Sequence, residues 1–217
     1  MTQVWEDVLF AHWRVDPDAL RRILPAAIAP WLDTYDGAAW LGVVPFEITT
    51  LRPRGIRAGL RFPELNVRTY CTVGGKPGVY FFSLDAANRL AVAGARLTYR
   101  LPYFPAEMRI DRDGSQIAYE SRRTRGRAAE LRIRYAPAGD VFTARPGTLE
   151  HFLVERYCLY VAIRGRAWRA DIDHPPWPLQ QATASIERNT MAPLALSGEP
   201  LLHYAARQDV QVWPLRR

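Results

Sequence analysis

Apolar and polar positions alternate along much of the chain, and the alternation predicts strands more often than helices. Residues 4–15 (VWEDVLFAHWRV) read as a mainly apolar strand that ends at Asp16-Pro17-Asp18. Asp16 suits a helix N-cap and Pro17 a first helical position, so residues 18–24 are expected as a short helix closed by Pro25. Residues 38–50 (AAWLGVVPFEITT) are strand-like, with Pro45 implying a bulge or a sheet edge. Residues 52–61, rich in Arg, Gly and Pro, read as a loop. The sharpest local unit is a hairpin: residues 66–73 alternate, Gly74-Gly75-Lys76-Pro77-Gly78 supplies turn chemistry, and residues 79–84 return. Residues 86–95 are expected as a short helix leading into a strand at 96–99. Asp113-Gly114 predicts a second hairpin between 107–110 and 116–122, with 130–135 as its neighbour. Apolar residues at three and four spacing over 148–161, behind Thr148, predict a helix that runs into a strand. Residues 166–172, 182–188 and 209–213 complete the strands. No repeat, linker or composition break divides the chain, so residues 1–217 are expected as one domain. Many short strands with two or three short helices define a mainly β (α+β) protein. An antiparallel β-barrel is the natural way to hide their edges.

One strand carries unusual chemistry. In Phe62-Pro63-Glu64-Leu65-Asn66-Val67-Arg68-Thr69-Tyr70, a period of two sends Glu64, Asn66, Arg68 and Tyr70 to one face and Leu65, Val67 and Cys71 to the other. Facing a barrel lumen, that row offers a carboxylate, an amide, a guanidinium and a phenol, a set able to orient an organic acid or carbonyl compound. Facing water, it is an ordinary polar strand surface, and alternation leaves both orientations open. Glu64 and Arg68 stand about 13 Å apart at about 3.3 Å per residue, too far for a direct pair.

Charge adds less than its total suggests. The 217 residues carry 29 Lys+Arg against 22 Asp+Glu, a net charge of +7, and Lys76 is the one lysine. The densest basic run spans Arg122, Arg123, Arg125 and Arg127, followed by Arg132 and Arg134. Glu120 and Glu130 bracket it and no aromatic residue interleaves within it, so a solvated loop is expected rather than a nucleic-acid surface. No apolar run approaches the roughly 18 residues of a membrane span. Glu6 and Asp7 stand where a signal peptide would be basic and then apolar. With Cys71 and Cys158 far apart in apolar surroundings, a cytoplasmic protein with buried thiols is expected. The expected partner is a small molecule, with neither nucleic acid nor membrane, and self-association is compatible with the sequence.

Other candidate groups lack partners at diagnostic spacing. Asp171 and Asp173 face opposite to His174 on a strand, and no Cys or His repeats at zinc spacing, so no metal is expected. No Gly-x-Ser-x-Gly elbow, GxGxxG or P-loop pattern occurs, and no cofactor is expected. His151 is expected on a helix face and His203 near a pocket mouth. Trp13, Trp40, Trp168 and Trp177 serve either as an apolar cavity wall or as plain core.

The run FPELNVRTY, the hairpin GKPGVYFFSLDA, the early AHW followed by VDPDALRRILP, the HPPWPLQ segment and the closing DVQVW together resemble the YqjF-like family of unknown function. The resemblance covers nearly the whole chain. That family is more remotely similar to acetoacetate decarboxylase, which implies a barrel around a ligand cavity and, in decarboxylases, a buried lysine that forms a Schiff base with a β-keto acid. The decarboxylase pattern is met at Asp18-Ala19-Leu20-Arg21, Pro25, Phe46-Glu47-Ile48, the strand-borne Glu64, Gly94-Ala95-Arg96-Leu97 and Phe104-Pro105. Where its lysine follows, this chain has Ala106-Glu107. Lys76 sits instead in a Gly-rich turn, where solvent keeps an amine protonated. The expected function is therefore binding of a small carboxylate or oxo acid without imine chemistry. Glu64 and Glu47 are the candidate acid/base groups. Arg68, Tyr70, Asn66, His12, Tyr103, His174 and Trp177 are the candidate ligand contacts. A lysine-independent lyase or hydratase, and a non-catalytic interaction protein, are the alternatives.

Overall fold

The structure, a computed structural model, describes residues 1–53, 55 and 59–217. Its first half holds β1 (Thr2–Val15), α1 (Pro17–Ile23), β2 (Ala39–Arg52), β3 (Leu60–Val73), β4 (Lys76–Ala86), α2 (Arg89–Tyr99) and β5 (Tyr103–Asp113). Then come β6 (Gln116–Arg123), β7 (Glu130–Phe142), α3 (Leu149–Val154), β8 (Cys158–Ile163), β9 (Arg166–Asp173), β10 (Leu179–Asn189) and β11 (Leu201–Val212).

The strands form one sheet in the order β1-β2-β3-β4-β5-β6-β7-β10-β11-β9-β8, which pairings of β1 with β11 and β4 with β8 close upon itself. Two strands divide an edge between two partners. On β4, Val79 and Tyr80 pair with β8 while residues 84–86 pair with β5. On β11, His203 and Tyr204 pair with β10 while Gln211 and Val212 pair with β9. The result is two closed circuits that share β1–β4 and β11, a smaller one through β8 and β9 and a larger one through β5, β6, β7 and β10. The fold is mostly β, as expected, and its pairings are antiparallel except the short contacts of β4 with β5 and β8.

Where β1, β2 and β3 lie between the two circuits, both faces of their middle stretches are buried. Val8, Phe10, Val44, Phe46 and Phe62 pack toward Leu159, Val161 and Trp177. Leu9, Ala11, Val43, Leu65 and Val67 pack toward Tyr119, Leu131 and Ile133. Strands covered on both sides lose the polar half of their alternation, which is why β1 and β2 read as nearly continuous apolar runs.

Local chemistry holds at most boundaries. Asp16 caps α1 by accepting from the Asp18 N–H at 2.8 Å. The β3–β4 hairpin turns on Gly74 and Gly75 alone, with φ of 59° and 74°, a pair of left-handed positions that glycine adopts freely. Pro45 sits in an interior strand: the β1–β2 ladder is broken between Glu6↔Glu47 and Ala11↔Val43, around Asp7 at φ 54°, so the missing proline N–H lies in that gap.

One expectation is corrected: the strand expected at 96–99 is the last part of α2, which Asn88 caps by accepting from Leu90 and Ala91 N–H and which stops at left-handed Arg100. The helix expected within 148–161 runs into a strand as expected, ending at Val154 before β8 pairs with β9. The loop expected at 52–61 lies partly outside the described residues, at 54 and 56–58.

Candidate functional site

Glu64, Asn66, Arg68 and Tyr70 share the β3 face that joins the smaller circuit, and all four are buried. Burial was left open by alternation and is decided by β8, β9 and α3, which cover that face. Across the sheet, His12 on β1 is in register with Gly42 on β2, and Gly42 with Arg68 on β3. His12 Nε2 and Tyr70 Oη lie 2.6 Å apart. Arg68 Nε donates to Tyr70 Oη at 3.3 Å and Arg68 Nη2 to the Leu153 carbonyl at 3.4 Å. The guanidinium also lies 5.3 Å from the Phe10 ring centroid.

Three arginines are nearly enclosed, and Arg68 differs from the other two. Arg123 makes a two-pronged pair with Asp85 at 2.9 and 2.6 Å, and Arg156 pairs with Asp33 at 2.9 Å. Arg68 is 7% exposed, and among the described residues no carboxylate reaches it. Around it lie buried polar atoms with no hydrogen-bond partner: His12 Nδ1, Asn66 Oδ1 on the same strand face, and both ring nitrogens of His203. His203 pairs with Phe10 across β1 and β11 and so shares its inward face. Trp177, packed edge-on against Phe10 at 4.8 Å, adds an unpartnered indole N–H. Burial, then the Arg68 charge and the nearby His203, hold His12 well below the usual imidazole range. Burial lowers His203 too, against the opposing charge of Glu150. Both imidazoles are therefore neutral at pH 7.

The other end of the row is differently built. Tyr103 Oη donates to Glu64 Oε2 at 2.9 Å, and Tyr119 donates to the Glu64 carbonyl at 2.7 Å. Burial pushes the Glu64 carboxyl up to about 8 although the Tyr103 bond opposes it, and nearby Asp85 adds to the rise. Glu64 is thus a neutral acid at pH 7.

Not every expected residue joins this face. Glu47 lies one position out of phase with Phe46, which is in register with Glu64, so its side chain leaves from the opposite face. There Arg61 holds it at 2.7 and 3.1 Å and Arg112 at 2.6 Å, with the Arg61 bond leading the lowering of its pKa. Glu47 and Glu64 are therefore not brought together as an acid/base pair. His174 stacks on Tyr157 at 4.6 Å with Nδ1 2.8 Å from the Pro175 carbonyl, one layer behind Trp177. Lys76, the first residue of β4, forms an ion pair with Asp171 at 2.9 Å, with its side chain 38% exposed. In the basic run, Arg122 pairs with Glu107, Arg123 with Asp85, Arg132 with Glu130 and Arg134 with Glu187. Among the described residues no group of three or more His, Cys, Asp or Glu could hold a metal ion. Cys71 and Cys158 are free and buried, and burial pushes the Cys71 thiol up.

Two contributors escaped the sequence reading. Gly42 offers a signal, since a glycine within an apolar strand marks a close approach. The α3 helix offers none. It covers the Arg68 end, its Phe152 ring 5.5 Å from that of Tyr70 and its Leu153 carbonyl on Arg68. A surface cleft of about 260 Å³, lined by Asp33, Tyr35, His151 and Arg156 among others, runs along it, with Phe152 between the cleft and Tyr70.

The closed sheet is of the acetoacetate decarboxylase-like fold, as its likeness to solved structures shows. The enduracididine biosynthesis enzyme MppR, complexed with the condensation product of pyruvate and imidazole 4-carboxaldehyde, superimposes with a TM-score of 0.70 at 15% identity, covering 99% of this chain and 88% of that one. Acetoacetate decarboxylase from Legionella pneumophila gives 0.67 at 12% identity, covering 100% of this chain and 87% of that one. At the level of sequence, the family DUF2071, described as an uncharacterized conserved protein, matches residues 2–209, and the chain belongs to it. It is 48% identical to the uncharacterized protein YqjF of Bacillus subtilis (strain 168), over 100% of this chain and 92% of that protein.

Proposed function

We propose that the protein binds a small organic carboxylate, an oxo acid fitting best, with Arg68 as its counter-ion inside the smaller circuit. One observation carries the reading: Arg68, buried at 7% exposure, has no carboxylate partner among the described residues, while the enclosed Arg123 and Arg156 side chains each have one. Burying a charge without a partner costs several kcal/mol, on the order of what a ligand carboxylate in two-pronged contact would offset. Tyr70, the His12 and His203 nitrogens and the Trp177 N–H supply further polar contacts for a carbonyl or second oxygen. The fold neighbours support the class of ligand, since one is described with a product of pyruvate and another acts on acetoacetate. Access requires α3 to swing away, because the site is enclosed.

Covalent lysine chemistry has no support in this reading. Imine formation needs an uncharged amine, and Lys76 is half-exposed and paired with Asp171. A lyase or hydratase acting on an oxo acid without lysine is the catalytic form of the same proposal. No helix of the described residues is long and apolar enough to cross a membrane. Two free buried thiols support the reducing, cytoplasmic setting proposed here. The acidic partners of Arg122, Arg132 and Arg134 favour a solvated surface over a nucleic-acid footing.

Thermal unfolding with pyruvate, acetoacetate and other short oxo acids tests the proposal. A ligand at 100 times its Kd raises stability by about 2.7 kcal/mol, and the rise should vanish in folded Arg68→Met. A panel that leaves the melting temperature unmoved defeats it. Borohydride treatment with the same acids should leave Lys76 unmodified, and an adduct there would restore the imine route.

A further inference from the structure

We propose that His12 and Tyr70 form an acid–base pair that enolises an oxo acid held by Arg68. The inference rests on the binding reading above and adds a chemical step to it. Its foundation is a gap built across three strands. His12, Gly42 and Arg68 lie side by side on β1, β2 and β3, and a Cβ at position 42 would stand 3.0 Å from His12 Cδ2, 3.1 Å from His12 Nε2 and 3.3 Å from Tyr70 Oη. A side chain there would crowd the imidazole and the phenol where they meet over β2, and the rings would have to give by a few tenths of an ångström. Both rings are fully enclosed, and their 2.6 Å contact is the shortest polar link of the Arg68 group.

A purely structural pair would be complete in itself, and this one is not. The second ring nitrogen of His12 is buried without a partner, and the Tyr70 oxygen lies in reach of Arg68 Nε as well as His12 Nε2. In the tautomer with the proton on Nε2, the Tyr70 oxygen accepts from both His12 and Arg68, which leaves the phenol proton free for a ligand. The same tautomer puts a lone pair on Nδ1, facing the enclosed interior as a neutral base.

With the ligand carboxylate on Arg68, the step balances without a redox partner. His12 Nδ1 takes a proton from the carbon next to the carbonyl, and the C–H electron pair becomes the C=C bond. The carbonyl π pair moves to oxygen, which takes the Tyr70 proton to give the enol. Negative charge left on the Tyr70 oxygen meets the Arg68 Nε–H and the Nε2–H of the now cationic His12. Reversal returns a proton to carbon, so the minimal reaction is exchange of carbon-bound hydrogen with solvent.

Pyruvate in D2O reads this directly, because loss of its methyl signal by proton NMR counts each turnover. Wild-type protein should speed the exchange, and Tyr70→Phe and His12→Gln should each slow it by about 100-fold or more, the usual worth of a positioned acid or base, while pyruvate still stabilises both variants against heat. Lys76→Met should exchange at the wild-type rate, since an enamine route through that lysine would fail there. Should either of the two variants be unfolded by its melting curve, the other carries the test. Pyruvate that binds in an Arg68-dependent way but does not exchange overturns the acid–base pair and leaves the binding site standing. Undiminished exchange in a folded Tyr70→Phe or His12→Gln, or loss of exchange in Lys76→Met, also overturns it. Pyruvate that neither binds nor exchanges defeats the pair and the binding reading together.

Discussion

Glu64 and Arg68 sit on the same face of the same strand, four residues apart, yet the interior treats them in opposite ways. At the Glu64 end the charge is removed: the carboxyl is pushed up to about 8 and Tyr103 satisfies it, so a neutral group occupies a neutral place. At the Arg68 end the charge stays, because a guanidinium cannot shed its proton, and the described residues supply a phenol, a backbone carbonyl and neutral imidazoles but no anion. A carboxylic acid can answer burial by itself, whereas an arginine must be answered from outside. The contrast locates a ligand's charge at one end of the row only.

The largest effect that could break this contrast lies at Glu64. An ordinary carboxyl near 4.5 raised to about 8 binds its proton more tightly in the folded chain, so its stabilising contribution is full below pH 4.5 and is lost as pH rises through 8. The gap corresponds to about 5 kcal/mol. Glu64→Gln should match the wild type near pH 5 and be the more stable of the two at pH 9, as chemical denaturation at both values would report. Equal pH responses would mean that Glu64 is ionised in the fold.

Next in size is the comparison of paired and unpaired arginines. Arg123→Met strands the fully buried Asp85 and should cost about 3–5 kcal/mol, whereas Arg68→Met strands no carboxylate and should leave stability unchanged or raised. A large loss in Arg68→Met would expose an anion already built into the fold. Gly42→Ala presses a methyl group against His12 and Tyr70 and should cost about 1–3 kcal/mol, the usual range for overpacking. A neutral result there would mean that the two rings are free to part. The smallest effect concerns the cover over Arg68: Thr148 caps α3 through the His151 N–H, and Thr148→Ala should cost about 1 kcal/mol in thermal melts. If α3 is the cover, the same change should quicken proteolysis within 143–157 and slow it again when ligand is added.

Much of this was legible from the chain because it rests on short-range rules. The helix cap at Asp16, the Gly74-Gly75 turn, the Asp113-Gly114 hairpin and the segregation of Glu64, Asn66, Arg68 and Tyr70 from Leu65 and Val67 all follow from neighbours within a few residues. Readings failed where partners distant in sequence intervened. Residues 96–99 have strand-forming composition, but they continue the helix that Asn88 caps. Glu47 and Glu64 looked like a matched pair until the β2–β3 register put their side chains on opposite faces.

The amino-acid order alone therefore determined which residues travel together on a strand face, since side-chain alternation is a property of the backbone. It also determined that the residues after Phe104-Pro105 are Ala106-Glu107 and include no amine. Only the tertiary structure decided that the polar row is roofed over, that His12 reaches Tyr70 across Gly42, and that Arg68, unlike Arg123 and Arg156, meets no carboxylate. Burial and charge compensation depend on β8, β9, β11 and α3, brought in from more than 70 residues downstream of β3. No local pattern encodes such contacts.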